Sequence, residues 1–157
     1  MGREEFVNIY GGIYEQSPWV AEQAWDREGN PPSARLAALF ESCVNDSTRE
    51  QKLALIRAHP DLAGRAAIAG ELTKESSEEQ RSASLDQCTE VEFKCFQLLN
   101  SHYKEKFGFP FVMAVRNSSR REILEVFKRR LENNPQSEFN LAIDEIHKIA
   151  RMRLFSL

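Results

Sequence analysis

At 157 residues, with 41% hydrophobic and 29% charged side chains, the chain suits one globular domain, 1–157, with a real core. Its net charge of −3 comes from interspersed Lys, Arg, Asp and Glu, which excludes the basic footprint of a nucleic-acid binder. No apolar run approaches the roughly 18 residues that cross a bilayer, and neither a signal-peptide apolar region nor a Ser-Lys-Leu ending is present, so a cytoplasmic protein without a membrane partner is expected.

In chain order, the pattern is one of helices separated by clear punctuation, with almost no two-residue alternation. Ser17-Pro18 opens a short helix carrying Trp19, Val20 and Trp25, with Pro in the favoured first position. Asn30-Pro31-Pro32-Ser33 is a break, after which Ser33 caps a helix with Leu36, Leu39, Phe40 and Val44. Ser47 with Glu50 reads as a capping box for a helix over 50–58. Pro60, Gly64 and Gly70 predict a loop over 60–75 with one helical turn around the alanines.

Ser76 with Glu79, and Thr89 with Glu92, form further capping boxes opening helices near 77–87 and 90–106. On the second, Val91, Cys95, Leu98 and His102 define an apolar face, with Leu99 and Tyr103 beside it, so His102 is expected in the core. Residues 107–115 are apolar, aromatic and interrupted by Gly108 and Pro110, which predicts an extended segment. Its backbone groups need partners, supplied by other segments or by a ligand, while its phenylalanines can fill a core. Ser118 or Ser119 then caps a helix with Ile123, Leu124, Phe127 and Leu131, and a last helix runs from about Ser137 to Leu154. The expected class is all-α.

Cys43, Cys88 and Cys95 form neither a disulfide framework nor, with His59, His102 and His147, a metal-ligand pattern, so reduced thiols and no metal are expected.

Three places could carry chemistry. Pro60 disfavours the α conformation at His59, so the helix stops there and the imidazole lies near unsatisfied carbonyls. Such a histidine either serves as a general acid or base, or simply caps carbonyls or faces solvent. On the last helix, Phe139, Ile143, Ile146, Ala150 and Arg153 share a stripe of roughly 80°. Arg153 therefore points with the core residues, toward an anionic ligand, toward an internal Asp or Glu, or out along its stem to water. Ser76-Ser77-Glu78-Glu79-Gln80 offers a carboxylate, an amide and helix-start N–H groups, or only a capping box.

Taken together, the blocks Gly11–Ala21, Arg57–Gly64, Leu72–Gln80, Phe107–Val112 and Ile149–Leu154 resemble the 2-oxo-4-hydroxy-4-carboxy-5-ureidoimidazoline (OHCU) decarboxylase family, in order and over nearly the whole chain. The resemblance implies a single-domain helical bundle of that family's type, usually a homodimer, that converts the ureide OHCU to (S)-allantoin and CO2, the last step from urate to allantoin. It implies no metal and no organic cofactor. By position, it implies His59 as catalytic acid/base with Glu79 as its carboxylate partner. It further implies substrate contacts from Pro60, Ser76, Ser77, Glu78, Gln80, Arg153 and the Phe111, Val112, Met113, Ala114 and Val115 segment. Two other readings compete: an interaction domain that buries Phe109 and Phe111 only against a partner, and a pocket that binds a related ureide without decarboxylating it.

Overall fold

Thr48, Thr89 and Ser119 each accept a hydrogen bond from the backbone N–H three residues on, and the side chains of Gln51, Glu92 and Glu122 each accept one from the cap residue's own N–H. Each reciprocal pair satisfies two donors that a helix start otherwise orphans. In the computed structural model, which describes residues 1–157 apart from the side chains of Arg65 and Ala66, these boxes open helices α4 (Arg49–Arg57), α7 (Glu90–Phe107) and α8 (Arg120–Arg130). The other helices are α1 (Arg3–Tyr10), α2 (Trp19–Glu28), α3 (Leu36–Asn45), α5 (Arg65–Ile68), α6 (Lys74–Ser82) and α9 (Pro135–Phe155). Short 3-10 turns occupy Ser33–Arg35 and Leu85–Gln87, and no strand forms among the described residues. The all-α expectation holds. No described helix is long and apolar enough to cross a membrane.

The backbone divides into two compact units, one of Met1–His59 with Ile146–Leu157 and the other of Pro60–Glu145. In the first, the fully buried Phe6 ring meets Tyr10, Trp25 and Phe40 at centroid distances of 4.8, 5.4 and 6.3 Å. Val20, Ala24, Cys43, Val44, Leu55 and Ile56 are buried as well. Each large side chain so buried contributes about 1.5–3 kcal/mol relative to exposure. In the second unit, Tyr103 is the hub. Its ring meets Phe107, Phe109, Phe111 and Phe127 edge-on or tilted at 4.5–5.9 Å.

Several expected boundaries shift, each for a local reason. Ser33 does not cap α3: it begins the 3-10 turn, and neither Pro32 nor Arg35 makes a side-chain cap. The α4 box is Thr48 with Gln51 rather than Ser47 with Glu50, because the Ser47 hydroxyl donates back to the Val44 carbonyl. Helix α6 starts three residues earlier than expected. Thr73 is its cap and accepts from the Ser76 N–H, so Ser76 lies inside the first turn and the expected Ser76–Glu79 box does not form.

On α7 the buried face is Phe96, Leu99, Asn100 and Tyr103, while Val91 and Leu98 are 78% and 58% exposed and His102 is exposed. The His102 core expectation is therefore corrected. Phe96 and Tyr103 carry far more apolar area than Val91 and Cys95, and the aromatic pair decides which face turns inward. Helix α1 carries no legible signal in the sequence. Its pattern holds one buried residue, Phe6, too few for a recognisable period.

Candidate active site

His59 ends α4 as Pro60 requires. Its backbone N–H closes the last turn on the Ile56 carbonyl, and its Nδ1 lies 2.9 Å from the Leu55 carbonyl oxygen. A carbonyl only accepts, so Nδ1 carries the hydrogen and the neutral ring keeps its lone pair on Nε2. The ring is buried rather than facing solvent. Burial pushes its pKa down to about 4, with Arg153 pressing the same way and the Leu55 hydrogen bond and the Glu15 carboxylate opposing. At neutral pH His59 is an uncharged imidazole with a fixed tautomer. Capping and base chemistry are thus compatible: the capped carbonyl is what aims Nε2.

Arg153 points inward, as its stripe on α9 requires, whereas Arg151 is half-exposed and pairs with Glu41 at the surface. Arg153 Nη2 lies 3.3 Å from Glu15 Oε2, and Nη1 donates to the Gly12 carbonyl at 3.2 Å. Both partners of this ion pair are buried, with side chains 4% and 2% exposed. The expected choice among ligand, internal acid and water is therefore settled in part: an internal acid, Glu15, engages the guanidinium.

Nothing in Gly11–Ala21 shows a helical or strand period that would turn Glu15 inward, so the sequence does not single it out. The turn that carries it is tightly specified. A Cβ at Gly11 would stand 2.5 Å from the Val7 carbonyl oxygen, closer than side chains tolerate. The Ser17 hydroxyl donates to the Glu15 carbonyl, and the buried Tyr14 hydroxyl pairs with His147 Nδ1 at 2.8 Å. His147 Nε2 in turn lies 3.0 Å from Asn45 Oδ1, which accepts from it.

In the second unit, the chain after Pro60 is held by amide side chains. Gln80 is buried, and its Oε1 accepts from the Ala63 N–H while its Nε2 donates to the Asp61 carbonyl, both at 3.0 Å. Asn100 and Gln97, which sequence reasoning did not single out, donate to the carbonyls of Leu62 and Ala63. On α6 itself, Ser76 is buried beside Gln80, Ser77 and Glu79 are half-buried, and Glu78 is exposed. Ser76, Glu79 and Gln80 fall within roughly 100° of one another on α6, as their spacing requires, whereas the exposed Glu78 lies roughly 160–200° around the helix from Ser76 and Gln80.

Of the segment predicted to be extended over 107–115, residues 109–115 form neither helix nor strand, while Phe107 closes α7 and Gly108 is its left-handed cap. Phe109, Phe111, Val112 and Val115 are buried, and Met113 and Ala114 are half-buried. Burial of Phe109 and Phe111 within the chain removes the reading in which only a partner covers them. Side chains meet the backbone demand: Arg130 Nη1 donates to the Val112 carbonyl at 2.6 Å, and Glu145 accepts from the Ala114 N–H at 3.1 Å. Arg130 also stacks over the Phe111 ring at 4.4 Å, and Phe111 stacks on Phe127 at 3.9 Å.

The arginine is anchored in turn by Glu138, fully buried, which accepts from Arg130 Nε at 2.7 Å, the Tyr103 hydroxyl at 2.6 Å and Asn133 at 3.0 Å. Among the described residues no group of His, Cys, Asp and Glu could hold a metal ion.

Comparison with known proteins gives this arrangement its relatives. The family model for OHCU decarboxylase matches residues 1–155. The 2-oxo-4-hydroxy-4-carboxy-5-ureidoimidazoline decarboxylase of Haloferax volcanii is 44% identical over 96% of this chain and 88% of its own. A crystal structure of (S)-allantoin synthase superposes with a TM-score of 0.78 at 34% identity, over 99% of this chain, which spans 50% of that longer one. An OHCU decarboxylase crystallised in the presence of (S)-allantoin shares the fold, with a TM-score of 0.74 at 23% identity over 90% of this chain and 92% of that one. The chain belongs to the OHCU decarboxylase family.

Proposed function

We propose that this protein decarboxylates OHCU to (S)-allantoin and CO2, the last step from urate to allantoin, with His59 as its acid/base. The observation that carries the role of His59 is its fixed tautomer: Nδ1–H held by Leu55 and a lone pair on Nε2 at neutral pH. The enzyme is a carboxy-lyase, as its family and its Haloferax relative are.

In the substrate, C4 bears both the carboxylate and a hydroxyl and adjoins a ring C=N at C5. When the C4–carboxylate bond breaks, its electron pair forms C4=C5 and the imine nitrogen takes the charge and then a proton. The resulting enol becomes allantoin when the hydroxyl proton leaves and C5 gains one. Nε2 suits both halves of that transfer: it removes the hydroxyl proton, then delivers a proton to one face of C5, which sets the S configuration. The reaction supplies its own electron sink, so the protein's task is to orient an anion and place a proton.

Arg153 is proposed to grip the substrate's carboxylate through its planar fork. Glu79 is proposed as the carboxylate partner of His59, and Pro60, Ser76, Ser77, Glu78, Gln80 and Phe111–Val115 as substrate contacts. For Gln80 the two backbone bonds at Asp61 and Ala63 support a contribution made through the segment that follows Pro60.

Arg153→Lys tests the fork. Lysine keeps the charge but loses the planar pair of donors, so KM for OHCU is expected to rise about tenfold or more with the fold retained. An unchanged KM and kcat would remove Arg153 from substrate binding. A homodimer in the cytoplasm, working as one 157-residue domain, completes the proposal on the strength of the family pattern. Sedimentation equilibrium of the whole chain should give about twice the 18.1 kDa monomer mass, and a monomer at micromolar concentration would contradict it.

A further inference from the structure

The Gly11–Ala21 block is the part of the family pattern to which no task has been given, and the structure supplies one. We propose that Glu15 is a positioning residue of the decarboxylation site, holding the guanidinium of Arg153 in the orientation in which it meets the substrate's carboxylate. The inference rests on the decarboxylase assignment and adds to it a residue that touches no reacting atom.

Three observations converge on Glu15. First, its carboxylate is 2% exposed and lies 3.3 Å from Arg153 Nη2, while the Gly12 carbonyl three residues earlier takes Nη1 at 3.2 Å. Two contacts from one turn define the plane of the guanidinium, which a single contact would leave free to rotate. Second, the turn is held at a local cost. Gln16 adopts φ 45°, a left-handed conformation unfavourable for a side chain with a Cβ, immediately after Glu15. Third, the flanking residues lock the turn from both sides, Ser17 by its bond to the Glu15 carbonyl and Tyr14 by its bond to His147.

Charge alone argues against an acid at this place, because a buried carboxylate beside the substrate-binding arginine repels an anionic substrate. Its presence there is explained if orientation outweighs repulsion. The two possibilities have opposite signs. If Glu15 positions Arg153, removing its charge loosens the fork and raises KM. If Glu15 merely offsets charge, its removal tightens substrate binding and lowers KM.

Glu15 and Arg153 also act on His59, in opposite directions. Removing the Glu15 charge therefore lowers the pH at which His59 titrates, and removing the Arg153 charge raises it.

The test uses the full-length chain as Glu15→Gln, Glu15→Asp and Arg153→Gln. Steady-state kinetics on OHCU are combined with an NMR titration of the His59 ring, which needs no substrate. For Glu15→Gln the expectation is a fall in kcat/KM of about 10–100-fold, mostly through KM, of the size expected for misplacing a substrate by about 1 Å. Native circular dichroism and a downward shift of the His59 midpoint should accompany it. Glu15→Asp, which keeps the charge, should leave that midpoint close to its original place and recover part of the KM. Arg153→Gln should move the midpoint up.

A folded Glu15→Gln with unchanged or lowered KM overturns the positioning role. If that variant does not fold, a folded Glu15→Asp with unaltered KM overturns it equally, since a carboxylate one methylene shorter cannot hold the same plane. An unsubstituted chain that folds but does not turn over OHCU defeats the decarboxylase assignment instead, and the positioning role with it. In that case the opposite shifts of the His59 midpoint still report whether the triad is coupled as drawn.

Discussion

Replacing His59 with Asn is expected to lower kcat by about 10²–10⁴-fold, the range that a placed acid/base supplies, while leaving substrate binding in place. Asparagine retains a side-chain N–H that can reach the Leu55 carbonyl, so the end of α4 should stay capped. What it lacks is a basic nitrogen to take the hydroxyl proton and return it to C5. The pH profile offers a second reading of the same claim. Burial holds the His59 pKa near 4, below the roughly 6.5 of a free imidazole, so the base form required for turnover persists through neutral and mildly acid pH. The kcat/KM of the unsubstituted protein should decline only as pH falls through about 4, and the residual rate of His59→Asn should show no such limb.

The same shift bears on stability, with a definite sign. Between about 4 and 6.5 the unfolded chain binds a proton at this histidine and the folded chain does not, so stability falls as pH drops through that window. His59→Asn should lose that part of the pH dependence in a denaturation series.

The largest stability effect is expected at Arg130→Met. The substitution keeps much of the buried volume but leaves Glu138, fully buried, without its cationic partner, and strips the Val112 carbonyl of its donor. Breaking a buried pair by removing one member costs about 3–5 kcal/mol, against about 0–1 kcal/mol for an exposed pair. The exposed Arg121–Glu125 pair on the same helix provides the internal comparison. Urea denaturation of Arg130→Met should show a midpoint far below that of Arg121→Met, and equal midpoints would show that the Arg130–Glu138 pair does not hold this unit together. Arg130 also fixes the carbonyl of Val112 and stacks on Phe111. Surviving folded Arg130→Met should therefore bind substrate more weakly, if Phe111–Val115 contacts it as proposed.

Much of the helical layout was legible because helix starts announce themselves chemically. Thr89 with Glu92 and Ser119 with Glu122 satisfy orphan donors within four residues, so local sequence is enough to read them. At α6 the same rule misled, because Thr73 caps without a Glu or Gln three residues on and the more complete pattern at Ser76 lies one turn inside the helix. The face of α7 was misread for a different reason. Its two candidate stripes are both apolar, and only packing around Tyr103 distinguishes them.

For the candidate site, the inward direction of Arg153 followed from helical periodicity, and the position of His59 from the proline that stops α4. Two things did not follow. Glu15 sits in an aperiodic turn whose inward direction depends on Gly11, Gln16 and Ser17 acting together. The protonation of His59 depends on burial, which a helix-stop pattern does not reveal.

The most direct measurement is circular dichroism of allantoin formed from freshly generated OHCU, with and without the protein. Spontaneous decay yields racemic product and no lasting signal. Decarboxylation at His59 predicts a rapid, persistent signal of the S form with the unsubstituted chain, and a return to the spontaneous course with His59→Asn. A signal that remains undiminished in His59→Asn would remove His59 as the proton carrier. An unsubstituted chain that only matches spontaneous racemic decay would contradict the decarboxylase function itself.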